Sequence, residues 1–193
     1  MMQQLVFATG NLNKLREAQE IITNHKILSL KDINCFEEIP ETHATIKDNA
    51  IEKAWYLWKK YKVNCFSDDT GLEVEALGGE PGVYSARYAG EGKNSEDNMK
   101  KLLKNLEGIE NRKARFYTVV ALVLNGKVHC FEGIVNGVIT KEKHGVNGFG
   151  YDPVFLPEGF SRTMAEISAE EKNKISHRGA ALRKMGQFLL QFQ

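Results

Sequence analysis

The dipeptide Asn125-Gly126 separates two long apolar-rich segments, Arg115 to Leu124 and Val128 to Ile139. Both of its residues accept the positive φ angles of a type I′ turn, so the spacing predicts a long antiparallel hairpin. A chain built around that hairpin cannot have a purely parallel sheet. Its opening is of another kind: Gln4 to Ala8 reads as a buried strand, and after a short polar loop Leu15, Ala18, Ile21 and Ile22 recur at helical spacing. Strand, loop and helix in that order begin an α/β fold.

Further along, His25 to Leu30 suggests a second strand, followed by an acid-rich connection. A helix is expected from about Thr45 to Lys62, with Thr45 and Asp48 spaced as a capping box. Cys65 to Ser67 and Leu72 to Ala76 read as strand on either side of a polar turn, Asp68-Asp69-Thr70-Gly71. Another helix is expected over Asn94 to Leu106, a glycine-rich loop over Gly145 to Gly150, a short helix near Ala169 to Asn173 and a terminal helix from Ser176. With no repeat, low-complexity tract or linker, the expected architecture is a single α/β domain over residues 1–193. It has a mixed central sheet and two lobes with a cleft between them.

Charge and composition exclude several functions. With 26 Lys and Arg against 25 Asp and Glu, the net charge is +1, which offers no overall field to attract nucleic acid or an acidic membrane. Any anion site is local. The longest aliphatic run, Val119 to Leu124, is six residues, far short of the roughly 18 that suggest a membrane span. The first residues carry no basic region and read as strand rather than signal peptide, so a cytoplasmic protein is expected. Cys35, Cys65 and Cys130 are odd in number and lack any CxxC spacing, which points to reduced packing residues rather than a disulfide framework or zinc site.

Four groups of residues could carry chemistry. Thr9-Gly10-Asn11-Leu12-Asn13-Lys14 joins the first strand to the first helix; glycine admits a ligand to the backbone, the helix start offers N–H groups and the lysine a charge, as a phosphate cradle needs. The same residues also suit an ordinary capped helix with a solvated lysine, and they lack Walker A spacing. At about 100° per residue, Ile46, Ala50, Ala54, Leu57 and Tyr61 define the buried face of the second helix, with Lys53 at its edge. Lys53 therefore either snorkels outward or reaches inward as a fixed cation. Asp68 and Asp69, adjacent at a strand end, point oppositely and cannot share one ion unless the chain bends; with Glu41 upstream they suggest a hard oxygen site for Mg²⁺. The rival is a plain Asp-rich turn. Asp-Thr-Gly as an aspartic protease triplet does not fit, because Ser67 and Asp68 precede it where an apolar strand belongs. Finally, Phe149 between glycines could stack on a base, and Arg178 in the first turn of the last helix is poorly placed for the helix dipole, as if an anion lay there.

Taken together these words resemble, over nearly the whole chain, the inosine/xanthosine triphosphate pyrophosphatases. The matching stretches are Thr9-Gly10-Asn11-x-x-Lys14, Asp68-Asp69-Thr70-Gly71-Leu72, Leu77-Gly78-Gly79-x-Pro81-Gly82-x-Tyr84-Ser85-Ala86-Arg87-Tyr88, Gly148-Phe149-Gly150-Tyr151-Asp152-Pro153 and Ser176-His177-Arg178-Gly179. Thr70 stands where many bacterial relatives carry serine, and it keeps the hydroxyl. The resemblance implies a Mg²⁺-dependent, homodimeric hydrolase. Its substrates would be dITP, ITP and XTP, cleaved to the monophosphate and pyrophosphate so that these purines are kept out of DNA and RNA.

The resemblance also distributes roles. Thr9, Gly10, Asn11, Lys14 and Lys53 would hold the triphosphate, with Thr70 beside them. Glu41 and Asp69 would bind metal, and Asp69 would serve as base for water. Phe149, Gly150, Tyr151, Asp152, Lys172, His177 and Arg178 would hold the purine. Glu37 and Glu38 lie close enough to compete with Glu41 for the metal. Two readings from other classes are a non-catalytic nucleotide-binding module, which has no use for Asp69 and Lys53, and an interaction domain, which the neutral charge and lack of a basic stripe disfavour.

Overall fold

A computed structural model describes residues 3–192. It contains an α/β arrangement whose sheet runs β2 (Lys26–Leu28), β1 (Gln4–Phe7), β3 (Cys65–Val74), β5 (Lys113–Leu124), β6 (Lys127–Ile139), β7 (Phe155–Pro157), with β4 (Pro81–Gly82) paired to β3. The chain divides into two compact units, Met1–Asp69, Thr118–Gly133 and His177–Gln193 in one, Thr70–Tyr117 and Ile134–Ser176 in the other.

In the first unit, β1 (Gln4–Phe7) lies parallel to β2 (Lys26–Leu28), with Leu5 opposite Ile27, and to β3 (Cys65–Val74), with Phe7 opposite Phe66. Leu5, Val6 and Phe7 are all buried, as expected of a strand covered on both faces. The Phe7 and Phe66 rings stack at 4.3 Å. Helices α1 (Leu12–Ile21), α2 (Ile46–Tyr61) and α5 (His177–Leu189) belong to this unit, and Ala18, Ile22, Leu182 and Met185 join Leu5, Phe7, Phe66 and Leu122 in its core. α2 starts at Thr45, whose hydroxyl accepts from the Asp48 N–H, and ends at Lys62 in the left-handed conformation. Gly133 fixes where α5 begins: a Cβ there would stand 1.9 Å from the His177 carbonyl oxygen.

The second unit holds α3 (Ser95–Asn105), capped by the Asn94 side chain, and α4 (Ala169–Ile175), which begins with a reciprocal capping box between Ser168 and Glu171. β4 (Pro81–Gly82) pairs antiparallel with β3, and β7 (Phe155–Pro157) with β6. Leu72, Met99, Leu102, Phe116, Phe155 and Met164 form its core.

The predicted hairpin is present as β5 (Lys113–Leu124) and β6 (Lys127–Ile139), with Asn125 at φ 50° and Gly126 at φ 75°. One expectation fails in an instructive way: Asp68 to Gly71 form no turn but run as extended strand within a continuous β3. Polar residues that favour turns are held in a strand here because Asp68 is paired to cations from two helices. The expected second strand is also shorter, and the two- and three-residue β4 and β7 carry no periodicity by which to predict them. All three cysteines are free, and burial raises the Cys65 thiol to about 12. No helix among the described residues is long and apolar enough to cross a membrane.

His25, just before β2, is 4 % exposed and neither ring nitrogen has a hydrogen-bond partner. Burial lowers its pKa from the ordinary 6.5, so the unfolded chain takes up a proton at a pH where the fold resists it. The stability given by neutral His25 is complete above about pH 6.5 and is lost as pH falls below it. Urea midpoints of the natural chain and His25→Leu should therefore converge, or cross in favour of the variant, between pH 7.5 and 5; a constant difference over that range rules out a neutral buried imidazole.

Candidate active site

In the first unit, strand β3 delivers two carboxylates to different cations. Asp68, 1 % exposed, accepts from Lys14 Nζ at 3.0 Å and from Arg178 Nε at 2.9 Å. Arg178 Nη1 donates to Glu17 Oε2 at 2.7 Å. The sequence of charges from α1 to β3 to α5 and back to α1 thus alternates in sign. Burial alone raises the Asp68 pKa, but Lys14 and Arg178 outweigh it and hold the carboxyl well below the usual range. Burial lowers that of Arg178, and Asp68 with Glu17 more than offsets it. Lys14 is pushed down, chiefly by burial, despite Asp68.

Asp69 meets the other lysine. Lys53, 6 % exposed on α2, lies 2.5 Å from Glu41 Oε1 and 3.7 Å from Asp69 Oδ1. Of the two sequence alternatives for Lys53, the structure shows the inward one. Burial opposes its charge, yet Asp69 and Glu41 prevail and its pKa rises. For Asp69 the balance is reversed: burial raises its pKa, with Glu41 and Asp68 adding to the effect against Lys53 and Lys14. Two neighbours on one strand therefore differ in kind, Asp68 a locked anion and Asp69 a carboxylate that accepts a proton more readily than usual.

The α1 start has the form expected of a cradle. Asn11 caps the helix by accepting from the N–H groups of Asn13 and Lys14 at 2.9 and 3.3 Å, and Thr9 Oγ1 accepts from the Asn11 N–H at 3.1 Å. Space beside Gly10 is open. Glu37 is engaged elsewhere, accepting from Lys60 Nζ at 2.7 Å and Tyr61 OH at 2.8 Å, which holds it at about 2. Glu41 is the acid that reaches Lys53. No three His, Cys, Asp or Glu side chains converge as a metal cage among the described residues. Glu41 and Asp69, both drawn to one ammonium, could supply the one or two carboxylates that Mg²⁺ takes alongside water and phosphate oxygens. The donor set fits that ion.

In the second unit, Asp152 organises the glycine-rich loop. Its Oδ2 accepts from the Phe149 N–H at 2.7 Å and from Lys172 Nζ at 2.6 Å, and Lys172 Nζ stands 4.3 Å from the Phe149 ring centroid. Gly148, at φ 74°, is required because a Cβ would fall 2.1 Å from Asp152 Oδ2. Tyr151 is buried and donates to the Ser85 carbonyl oxygen at 2.8 Å, while Gly150 has open space beside it. Thr70 is the first residue of this unit.

The residues expected to hold the purine are thus distributed unevenly. Lys172, Phe149 and Asp152 are joined to one another; His177 and Arg178 are buried in the first unit, and the Arg178 guanidinium is engaged by Asp68 and Glu17. Sequence reasoning missed Glu17, although its i, i+3 spacing from Lys14 places the two on one helix face. It also missed Asn49 and Glu52 of α2, which tie down residues 42 and 43.

The chain matches known proteins over nearly its whole length. The Ham1 family model matches residues 5–188. A dITP/XTP pyrophosphatase of Flavobacterium johnsoniae is 58 % identical over 94 % of this chain and 95 % of its own, and one from Porphyromonas gingivalis 49 % identical over 98 % of each. Among solved structures, the Staphylococcus aureus Ham1 protein superposes with a TM-score of 0.90 at 38 % identity, covering 99 % of this chain and 100 % of that one. A nucleoside-triphosphatase / dITP/XTP pyrophosphatase from Mycobacterium abscessus gives 0.76 at 41 %, covering 95 % and 98 %. With sequence and fold both matched over nearly its full length, the chain belongs to the Ham1 family.

Proposed function

We propose that this chain is a pyrophosphatase that hydrolyses non-standard purine nucleoside triphosphates, dITP, ITP and XTP, to the monophosphate and pyrophosphate. The observation that carries the reading is the pairing of opposite charges at Asp68 and Asp69: two lysines, from α1 and α2, are drawn inward to one stretch of strand together with Glu41. Residues 1–193 act as one catalytic domain of a cytoplasmic, homodimeric enzyme, and its partner is the small-molecule nucleotide rather than nucleic acid or membrane. The sequence resemblance and the pyrophosphatases matched above support this.

The residues divide the work. The α1 start, with Thr9, Gly10, Asn11 and Lys14, binds phosphate oxygens through N–H groups and one ammonium. Lys53, kept charged by its carboxylate neighbours, holds a further oxygen, and the Thr70 hydroxyl assists. Glu41 and Asp69 hold Mg²⁺, which supplies charge neutralisation on the phosphate oxygens when bound. Asp69 takes a proton from the attacking water; the water oxygen bonds to the α-phosphorus while the bond to the α–β bridging oxygen breaks, and pyrophosphate leaves. Hydrolysis in ¹⁸O-water should accordingly label the monophosphate. Label in pyrophosphate means attack at the β-phosphorus, and orthophosphate as the first product excludes the reading.

The two aspartates should separate stability from turnover. Asp68→Asn leaves the buried Arg178 and the partly buried Lys14 without their shared anion and should lower the unfolding free energy by about 3 kcal/mol. Asp69→Asn removes a charge that burial disfavours, so stability should stay within about 1 kcal/mol, while kcat falls by roughly a hundredfold or more. Denaturant titration and steady-state kinetics of both variants check this; the reverse pattern would exchange the two roles.

Phe149, Gly150, Lys172 and His177 read the base. Hypoxanthine and xanthine carry a carbonyl at C6 where adenine carries an amino group, so a site rich in donors favours the first two and faces donor with donor in adenine. Lys172, fixed by Asp152, and His177 supply donors, with the Phe149 ring stacking and Gly150 leaving room. Guanine shares the C6 carbonyl and is refused at its 2-amino group by the backbone near Phe149 to Asp152. ATP should be strongly rejected and GTP poorly used, and Lys172→Ala or His177→Ala should narrow the ITP-to-ATP ratio of kcat/KM. Unchanged ratios in both variants place C6 recognition elsewhere.

A further inference from the structure

Glu41 lies outside every helix and strand, in the stretch between β2 and α2, yet its carboxylate is delivered to the Lys53 ammonium at 2.5 Å. The next two residues show what holds it. Asn49, 3 % exposed on α2, accepts at Oδ1 from the His43 N–H at 2.8 Å and donates from Nδ2 to the His43 carbonyl oxygen at 3.0 Å. Glu52 accepts from the Thr42 N–H at 2.9 Å and from the Thr42 hydroxyl at 3.0 Å. Asn49, Glu52 and Lys53 stand at i, i+3 and i+4, so they share one helix face.

We propose that Asn49, assisted by Glu52, is a positioning residue that sets Glu41 for metal binding. The inference rests on the reading of Glu41 as a metal ligand. A side-chain amide that accepts from the N–H and donates to the carbonyl oxygen of one residue fixes the two peptide groups flanking His43, and Glu52 fixes the N–H of the residue before it. The segment carrying the ligand is thereby ordered during folding, and the entropy of ordering it is not charged against metal binding. Lys53, on the same turn of helix, keeps its register with Glu41 because the staple and the cation belong to one rigid element.

The test compares Asn49→Ala, Glu52→Ala, Glu52→Gln and Glu41→Gln with the natural chain. Two quantities are read: the Mg²⁺ concentration for half-maximal ITP hydrolysis, and hydrogen exchange of the Thr42 and His43 amides in protein free of metal and nucleotide. Asn49→Ala should raise the half-saturating Mg²⁺ by roughly tenfold or more, the usual effect of losing a group that orients a ligand, with a much smaller fall in kcat at saturating Mg²⁺. The Thr42 and His43 amides should exchange faster, while those of β1 keep their protection. Glu52→Gln retains an oxygen that accepts from Thr42 and should shift the Mg²⁺ dependence less than Glu52→Ala. If both amides exchange faster in Asn49→Ala and Glu52→Ala but the Mg²⁺ dependence stays unchanged, the staple is only structural and the proposal fails. A shift in Glu41→Gln alone overturns the positioning role by itself, whereas no shift in Glu41→Gln overturns the metal assignment too. Should Asn49→Ala not fold, the partly exposed Glu52 pair decides the question.

Discussion

The first unit depends on one buried anion. At 1 % exposure, the Asp68 carboxylate has lost its water, a loss of several kcal/mol that only close cations and hydrogen bonds can offset. It has two such cations, and they arrive from different helices. Lys14 comes from the first turn of α1 and Arg178 from the first turn of α5, so the anion draws both helix starts to one point of β3. Arg178 needs a second anion to balance it, and Glu17 provides this from one turn further along α1. The close approach of α5 to β6 at Gly133, where a Cβ is excluded, is the packing counterpart of that ion pairing.

From this follows the chemical difference between the two aspartates. Alternation along a strand sends neighbouring side chains to opposite faces, so Asp68 takes its hydrogen bonds from Lys14 and Arg178 while Asp69 stands nearest Lys53. Asp68 is saturated by Lys14 and Arg178 and is therefore too acidic and too enclosed to accept a proton. Asp69 shares Lys53 with Glu41, is less completely neutralised, and is buried enough for its proton affinity to rise. A locked anion and a carboxylate of raised proton affinity are thus made from the same residue type by placing them one position apart.

Much of the fold was legible in the sequence because local rules and tertiary packing agree there. Asn125-Gly126 specified its turn, Thr45 its helix start, and the spacing of Ile46, Ala50, Ala54 and Leu57 a buried face with Lys53 at its edge, though not which way Lys53 turns. At Asp68 to Gly71 the two levels disagree: a tract with turn-forming composition runs as strand because partners distant in sequence neutralise it, and no local pattern records those partners. The same gap explains Arg178. Its position at the positive end of a helix does signal an anion, but the anion it meets in this structure is Asp68 of the same unit. Spacing and residue chemistry singled out Thr9 to Lys14, Lys53, Asp68, Asp69, Phe149 and Arg178, and motif resemblance assigned their roles.

The two groups of functional side chains are built on unlike supports, and the difference suits what each must do. Lys14, Lys53 and Asp69 project from the first turn of α1, the middle of α2 and the middle of β3, where backbone hydrogen bonds fix their origin to within small displacements; a charge acting on a developing charge tolerates little error. The loop over Gly148 to Asp152 lies outside the long helices and strands and is held instead by side chains: the Asp152 carboxylate takes both its own loop N–H and the Lys172 ammonium, and Tyr151 donates to the Ser85 carbonyl oxygen. Glycine at 148 is the condition for that carboxylate to fold back over the loop. A loop held this way owes its order to buried side-chain bonds and its shape to the glycines.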